Sequence, residues 1–70
     1  MFNQFAKKDM IVKVTILTNE SYSFKATSQS DAKNYAKILL RDGFNTTEYE
    51  GYIKFYPPHM IKFIEVYPET

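Results

Sequence analysis

The chain has no cysteine, which excludes disulfides and thiolate metal sites. It has a single histidine, His59, so a multi-histidine metal site is excluded as well. With two glycines in all, there is no Gly-rich phosphate loop, and no D-x-D-x-D loop, nucleophile elbow or H-E-x-x-H motif is present. No run approaches the ~20 apolar residues needed to span a bilayer. Met1–Met10 lacks a long apolar stretch and carries Lys7, Lys8 and Asp9, so no secretory signal is expected. The lack of cysteine fits a cytoplasmic protein, which is the expected location.

Charge of one sign is lacking too. The net charge of +1 marks neither a basic nucleic-acid binder nor an acidic mimic of one. Residues 1–44 hold seven Lys/Arg and four Asp/Glu, giving +3, and residues 45–70 hold two Lys and four Glu, giving −2. What the chain does have is aromatic residues. Six Phe and six Tyr make up 17% of 70 residues. The Phe residues can fill a core. Six Tyr are too many to bury with paired hydroxyls in so small a domain, so several should lie at the surface, where Tyr suits interfaces.

The length predicts one domain, residues 1–70, with residues 1–9 as an N-terminal arm bearing Phe2 and Phe5. A domain of this size buries only about 60% of the surface its unfolded chain exposes. Its core supplies roughly 3–5 kcal/mol, and self-association is the reinforcement left open. Met10–Leu17 alternates as a strand, with Met10, Val12, Val14 and Ile16 on one face. Thr18–Glu20 is a turn in which Asn19 is best able to take the left-handed conformation. Ser21–Ala26 returns, with Tyr22, Phe24 and Ala26 on one face.

A helix over Gln29–Asp42 is predicted from both ends. Ser28 and Asp31 form a capping signal, and Gly43 suits the position just past the C-terminus, where Phe44 can fold back on Leu39. Ala32, Tyr35, Ala36, Leu39 and Leu40 form its apolar face. A hairpin follows, Asn45–Tyr49 and Tyr52–Tyr56 around Glu50-Gly51. Pro57 and Pro58 end it, and Met60–Tyr67 is the last strand. The fold class is therefore α+β, a mostly antiparallel four- to five-stranded sheet with one helix on one face, in the order β-β-α-β-β-β.

One helix covers one face of a sheet, yet two strands are apolar on both faces. Met10–Leu17 places Ile11 and Leu17 outward. Met60–Tyr67 has Met60, Ile64 and Val66 on one face and Ile61, Phe63 and Tyr67 on the other. Such strands are normally covered on both sides, by the arm, by a second copy or by a different protein. A dimer or partner-bound state is expected.

The chemical inventory is thin. His59 has no nucleophile or carboxylate beside it in sequence, and general acid/base work needs a positioned partner; no catalytic residue is assigned and the chain reads as non-enzymatic. No cofactor and no metal site are expected. Lys33, Lys37 and Arg41 form an i, i+4, i+8 stripe, a candidate phosphate contact or simply a solvated helix face. Tyr52, Lys54 and Tyr56 share one face of the fourth strand and could stack on single-stranded bases. Glu48, Glu50, Glu65 and Glu69 could form an acidic patch near the second hairpin, though four carboxylates on this scale more often only solvate the surface. Tyr49, Tyr52, Tyr56 and Tyr67, with Lys54, are the candidate partner-binding residues, because large rigid aromatic side chains carry most interface energy; the alternative is that Tyr49 and Tyr56 complete the core under the helix.

Two resemblances accompany these residues. The run A-K-I-L-L-R-D-G-F at Ala36–Phe44 resembles the opening of HicA-type toxin domains, whose next strands carry a glycine-serine-histidine motif. The corresponding hairpin here reads Glu50-Gly51-Tyr52, without histidine, so that RNase activity does not carry over. A strand, a polar turn, S-Y-S-F-K-A-T, an A-x-x-Y-A helix and a strand after G-F, with Y-P-P-H-M-I before the last strand, resemble short accessory proteins of phages and prophages. The T7-type inhibitor of bacterial RNA polymerase has a similar strand-strand-helix-strand order. That resemblance implies a host-takeover or anti-defence protein that binds a host nucleic-acid-processing or defence protein by surface occupation, in the host cytoplasm and without a membrane partner. A small nucleic-acid-binding module, weak in affinity and using the basic helix face and exposed tyrosines, is the alternative.

Overall fold

A computed structural model describes residues 9–69; the Phe2/Phe5 arm expected from the sequence lies outside them. The fold is α+β. In chain order it comprises β1 (Met10–Ile16), β2 (Ser21–Ala26), α1 (Gln29–Asp42), β3 (Phe44–Asn45), β4 (Phe55–Tyr56) and β5 (Ile61–Pro68), with a 3-10 turn at Pro58–Met60 before β5. All strand pairs are antiparallel. The five strands divide into a three-stranded sheet in the order β2-β1-β5 and a two-stranded ladder of β3 and β4.

β1 is central because its apolar alternation gives it a full inner face. Val12, Val14 and Ile16 are fully buried there and Met10 nearly so, each worth roughly 1.5–3 kcal/mol relative to exposure. The hairpin to β2 closes through Ile16 N–H to Glu20 O (3.0 Å) and Asn19 N–H to Ile16 O (2.8 Å). Asn19 takes the left-handed conformation expected of it, at φ 73°. Leu17 leaves the strand and is exposed.

The sequence alternation fails at one point in β5. Thr15 pairs with Phe63 but Ile16 pairs with Ile61, so Lys62 is an extra residue on β5. Such a bulge shifts the side-chain phase. Ile61 therefore packs against the core beside Ile64 and Val66, instead of lying outward with Phe63 and Tyr67. The outer face keeps Ile11, Thr15, Phe63 and Tyr67.

The helix begins and ends where its caps dictate. Ser28 Oγ accepts the Asp31 N–H (3.1 Å), and the Asp31 carboxylate in turn accepts the Thr27 hydroxyl (2.9 Å). Gly43, at φ 94°, donates its N–H to Leu39 O. Of the expected apolar face, Ala32 and Leu39 are buried and Ala36 half-buried, while Leu40 is exposed. At 3.6 residues per turn Leu40 sits about 80° round from Ala32, too far to meet a sheet only three strands wide. Tyr35 rotates the other way and stacks on Phe24 at 5.4 Å.

The second hairpin turns where expected, with Glu50 at φ 52° and Gly51 at φ 83°, both positive as a type I′ turn requires. Its arms are far shorter than Asn45–Tyr49 and Tyr52–Tyr56. Beyond the ladder only an isolated bridge joins Tyr49 to Tyr52. The break lies at Thr46, whose hydroxyl accepts the Lys54 N–H (3.1 Å) while its own N–H reaches Lys54 O (2.9 Å). A side chain thus replaces a ladder carbonyl, and the bridge beyond it is one residue out of the register set by Phe44–Tyr56.

Gly43 is the position this arrangement tolerates least. A Cβ there would collide with the Tyr56 carbonyl oxygen and crowd Pro57 and Pro58, in addition to the strain of positive φ. Gly43→Ala is expected to destabilise the fold by about 1–3 kcal/mol, read from denaturant unfolding. By contrast Glu50→Gly, at an exposed turn position of positive φ, removes left-handed strain of about 1–2 kcal/mol against the entropy of a freer unfolded chain, and a small net gain in stability is expected in the same measurement.

Candidate protein-interaction site

The site grows from Phe44. The positive φ at Gly43 turns the chain off the helix and drives the Phe44 ring into the core, where it is almost fully buried. Three aromatic rings surround it: Tyr22 at 5.1 Å, Phe24 at 5.4 Å edge-on, and Tyr56 at 5.7 Å stacked. Such pairs are worth about 0.5–1.5 kcal/mol each beyond their buried area. Tyr56 is opposite Phe44 in the ladder, so the two rings pin the base of the second hairpin to β2. The hydroxyls of Tyr22 and Tyr56 lie 3.2 Å apart. That hydrogen bond, with partial burial and the Glu20 charge, raises the Tyr22 pKa above its ordinary value.

Between the C-terminal half of α1 and this ladder lies an open groove of about 490 Å³. Tyr35, Ile38 and Leu39 form one wall, Phe55, Tyr56 and Pro57 the other, with Phe44 at the base and Asp42 and Asn45 polar. Phe55 points away from the core and is 75% exposed. Farther along the same hairpin Tyr49 and Tyr52 are 74% and 63% exposed. Mutual N–H···O bonds of 3.0 and 2.9 Å hold these two across the turn. Lys54 lies with its ammonium 5.8 Å from the Tyr56 ring centroid, and the contact with Tyr56 raises its pKa.

The structure brings together Tyr49, Tyr52, Lys54 and Tyr56 on one hairpin, with Tyr56 turned into the aromatic cluster. Tyr67 is not with them. It lies in register with Ile11 on the outer face of the sheet, whereas the hairpin is anchored on the core side through Phe44 and Tyr56. The four carboxylates do not form a patch either. Glu48 and Glu50 are on the hairpin, Glu65 is in register with Lys13, and Glu69 is paired with Lys25 at 3.1 Å. Among the described residues no group of three or more His, Asp or Glu could hold a metal ion.

The basic stripe is exposed along α1, but Arg41 is held by Asp42 through two bonds, 2.9 and 2.7 Å. The pair raises the Arg41 pKa and lowers that of Asp42. Lys33 and Lys37 have no ion-pair partner among the described residues. His59 is exposed in the 3-10 turn. No described helix is long and apolar enough to cross a membrane. Sequence reasoning missed Ile38 and Phe55. Ile38 follows Tyr35 by three residues on one helix flank, and Phe55 alternates with Lys54 and Tyr56, so each carried a signal of periodicity.

No family model matches the chain, and no curated protein and no solved structure is significantly similar to it.

The two kinds of aromatic residue should separate in stability measurements. Tyr56→Ala is expected to cost about 2 kcal/mol or more through the cavity left beside Phe44. Tyr49→Ala, Tyr52→Ala and Phe55→Ala, at exposed positions, should each stay within about 0.5 kcal/mol of the unaltered chain. Urea unfolding of the four variants checks this.

Proposed function

We propose that the chain is a non-enzymatic binding protein that acts by occupying the surface of another protein. Its contact is the second hairpin and the adjoining groove, with Tyr49, Tyr52 and Phe55 as anchors and Lys54, Glu48 and Glu50 as a mixed-charge rim. The observation that carries this reading is the exposure of three large aromatic side chains on one hairpin whose base is fixed by Phe44 and Tyr56. Rigid aromatic groups lose little freedom on binding and fill pockets on a partner. Large aromatic side chains left exposed on one hairpin of so small a domain support its use as an interaction surface.

The resemblance to short phage and prophage proteins supplies the class of partner, a host nucleic-acid-processing or defence protein. Interference there needs only occupation, and this chain offers large contact groups and little chemistry. A protein partner is favoured over nucleic acid because the Asp42 carboxylate compensates Arg41 and leaves two lysines of the helix stripe to meet phosphates.

The test is affinity capture from source-cell lysate with the unaltered chain, Tyr52→Ala, Phe55→Ala and Lys33→Ala/Lys37→Ala. A specific protein retained by the first and last, and lost at least tenfold with either aromatic variant at unchanged melting temperature, is the expected outcome. Nuclease-sensitive retention that follows the two lysines would transfer the function to nucleic-acid binding.

A further inference from the structure

We propose that two copies of this chain pair antiparallel along β5, about a two-fold axis at Glu65, and so join their three-stranded sheets into one. The surface is distinct from the hairpin, and the inference stands apart from the reading given above.

The argument starts from which backbone groups of β5 are already used. The Glu69 N–H donates to Asp9 O (2.9 Å) at one end of the β1–β5 pair. The register continues Ile11–Tyr67, Lys13–Glu65 and Thr15–Phe63. Hydrogen-bonded pairs recur at every second residue of an antiparallel ladder. The backbone groups of Phe63, Glu65 and Tyr67 therefore face β1, and those of Ile64 and Val66 face outward along the edge with which no strand among the described residues pairs. Pro68 has no N–H to offer, and Lys62 sits in the bulge. The donors available to a new strand on the regular part of β5 are those of Ile64 and Val66.

These two donors select the register. With the axis at Glu65, Ile64 of one copy faces Val66 of the other and the reverse, and each pair exchanges both of its N–H···O bonds. An axis at Ile64 would set Val66 against the Lys62 bulge, and an axis at Val66 would set Ile64 against Pro68. The Glu65 register also places Phe63 opposite Tyr67 of the other copy, twice, on the outer face. These residues are 47% and 41% exposed, and aromatic cross-strand pairs stabilise antiparallel sheets. On the inner face Ile64 meets Val66, extending the apolar surface under the helix.

A second copy fits this edge because the edge complements itself in both donors and aromatic side chains. β2, the other edge, does not. Its outward face carries Ser21, Ser23 and Lys25, all exposed, with Lys25 already paired to Glu69. At the axis two Glu65 carboxylates face each other, each beside its own Lys13 in register. Like charges directly opposite oppose pairing, so the dimer is reversible and concentration-dependent.

The test combines sedimentation of the full chain over a micromolar to millimolar range with amide hydrogen exchange followed residue by residue. The mass is expected to rise from 8.3 kDa to twice that value. The Ile64 and Val66 amides should pass from unprotected to protected over the same range, while those of Phe63, Glu65 and Tyr67 stay protected throughout. Phe63→Lys should raise the concentration at half-association at least tenfold. A monomer across the whole range overturns the proposal. So does a dimer in which Ile64 and Val66 exchange as freely as in the monomer, because its contact then lies on another surface.

Discussion

The packing of one ring, Phe44, is the constraint on which the rest of this structure depends. It follows directly on the helix stop, opens the ladder to β4, and lies within 5.7 Å, centroid to centroid, of Tyr22, Phe24 and Tyr56. The helix end, the β2 edge of the sheet and the base of the hairpin therefore meet at a single residue. Gly43 makes this possible, because only a residue that accepts φ 94° with no Cβ can turn the chain so sharply beneath the Tyr56 carbonyl. In a domain whose core is this small, one shared contact of this kind supports three elements at once.

From that anchor follows the division of the aromatic residues. Tyr22, Phe24, Phe44 and Tyr56 complete the core beside the aliphatic row of β1. Tyr49, Tyr52 and Phe55 belong to the same hairpin and yet stay in water. Their exposure contributes nothing to folding. A short hairpin with a broken ladder would be marginal in isolation; here the stacked rings at its base hold it against the sheet, so its exposed side chains are presented from a fixed platform. Preorganisation of this sort lowers the ordering cost of association. The outer face of the sheet makes a second, separate surface, where Phe63 and Tyr67 flank Glu65.

The fold was legible in the sequence wherever local chemistry determines conformation. Ser28, Asp31 and Gly43 bound the helix because capping uses neighbouring backbone groups. Asn19 and Gly51 marked both turns because positive φ restricts residue choice. The alternation of β1 gave its inner face correctly. What was not legible depends on tertiary pairing. The extra residue at Lys62 reverses the face of Ile61, and a strict period of two cannot reveal a bulge whose position is set by the partner strand. The Thr46 hydroxyl replaces a ladder bond, so the hairpin arms are shorter than their composition suggests. The groove was not legible because its walls, Ile38 and Phe55, are 17 residues apart in sequence and come to one groove only in the folded chain. Tyr67 is near the hairpin tyrosines in sequence but lies in register with Ile11 on the outer face of the sheet, a placement that only the strand pairing reveals.

The most direct test of this account is the pattern of through-space proton contacts of the Phe44 ring in solution. The account predicts contacts from Phe44 to the rings of Tyr22, Phe24 and Tyr56, and none from the rings of Tyr49 or Tyr52 to any of these four. A Phe44 ring without contacts to Tyr56, or with Tyr49 or Tyr52 folded into the same cluster, would contradict it, because the hairpin would then be either detached from the sheet or buried within the core.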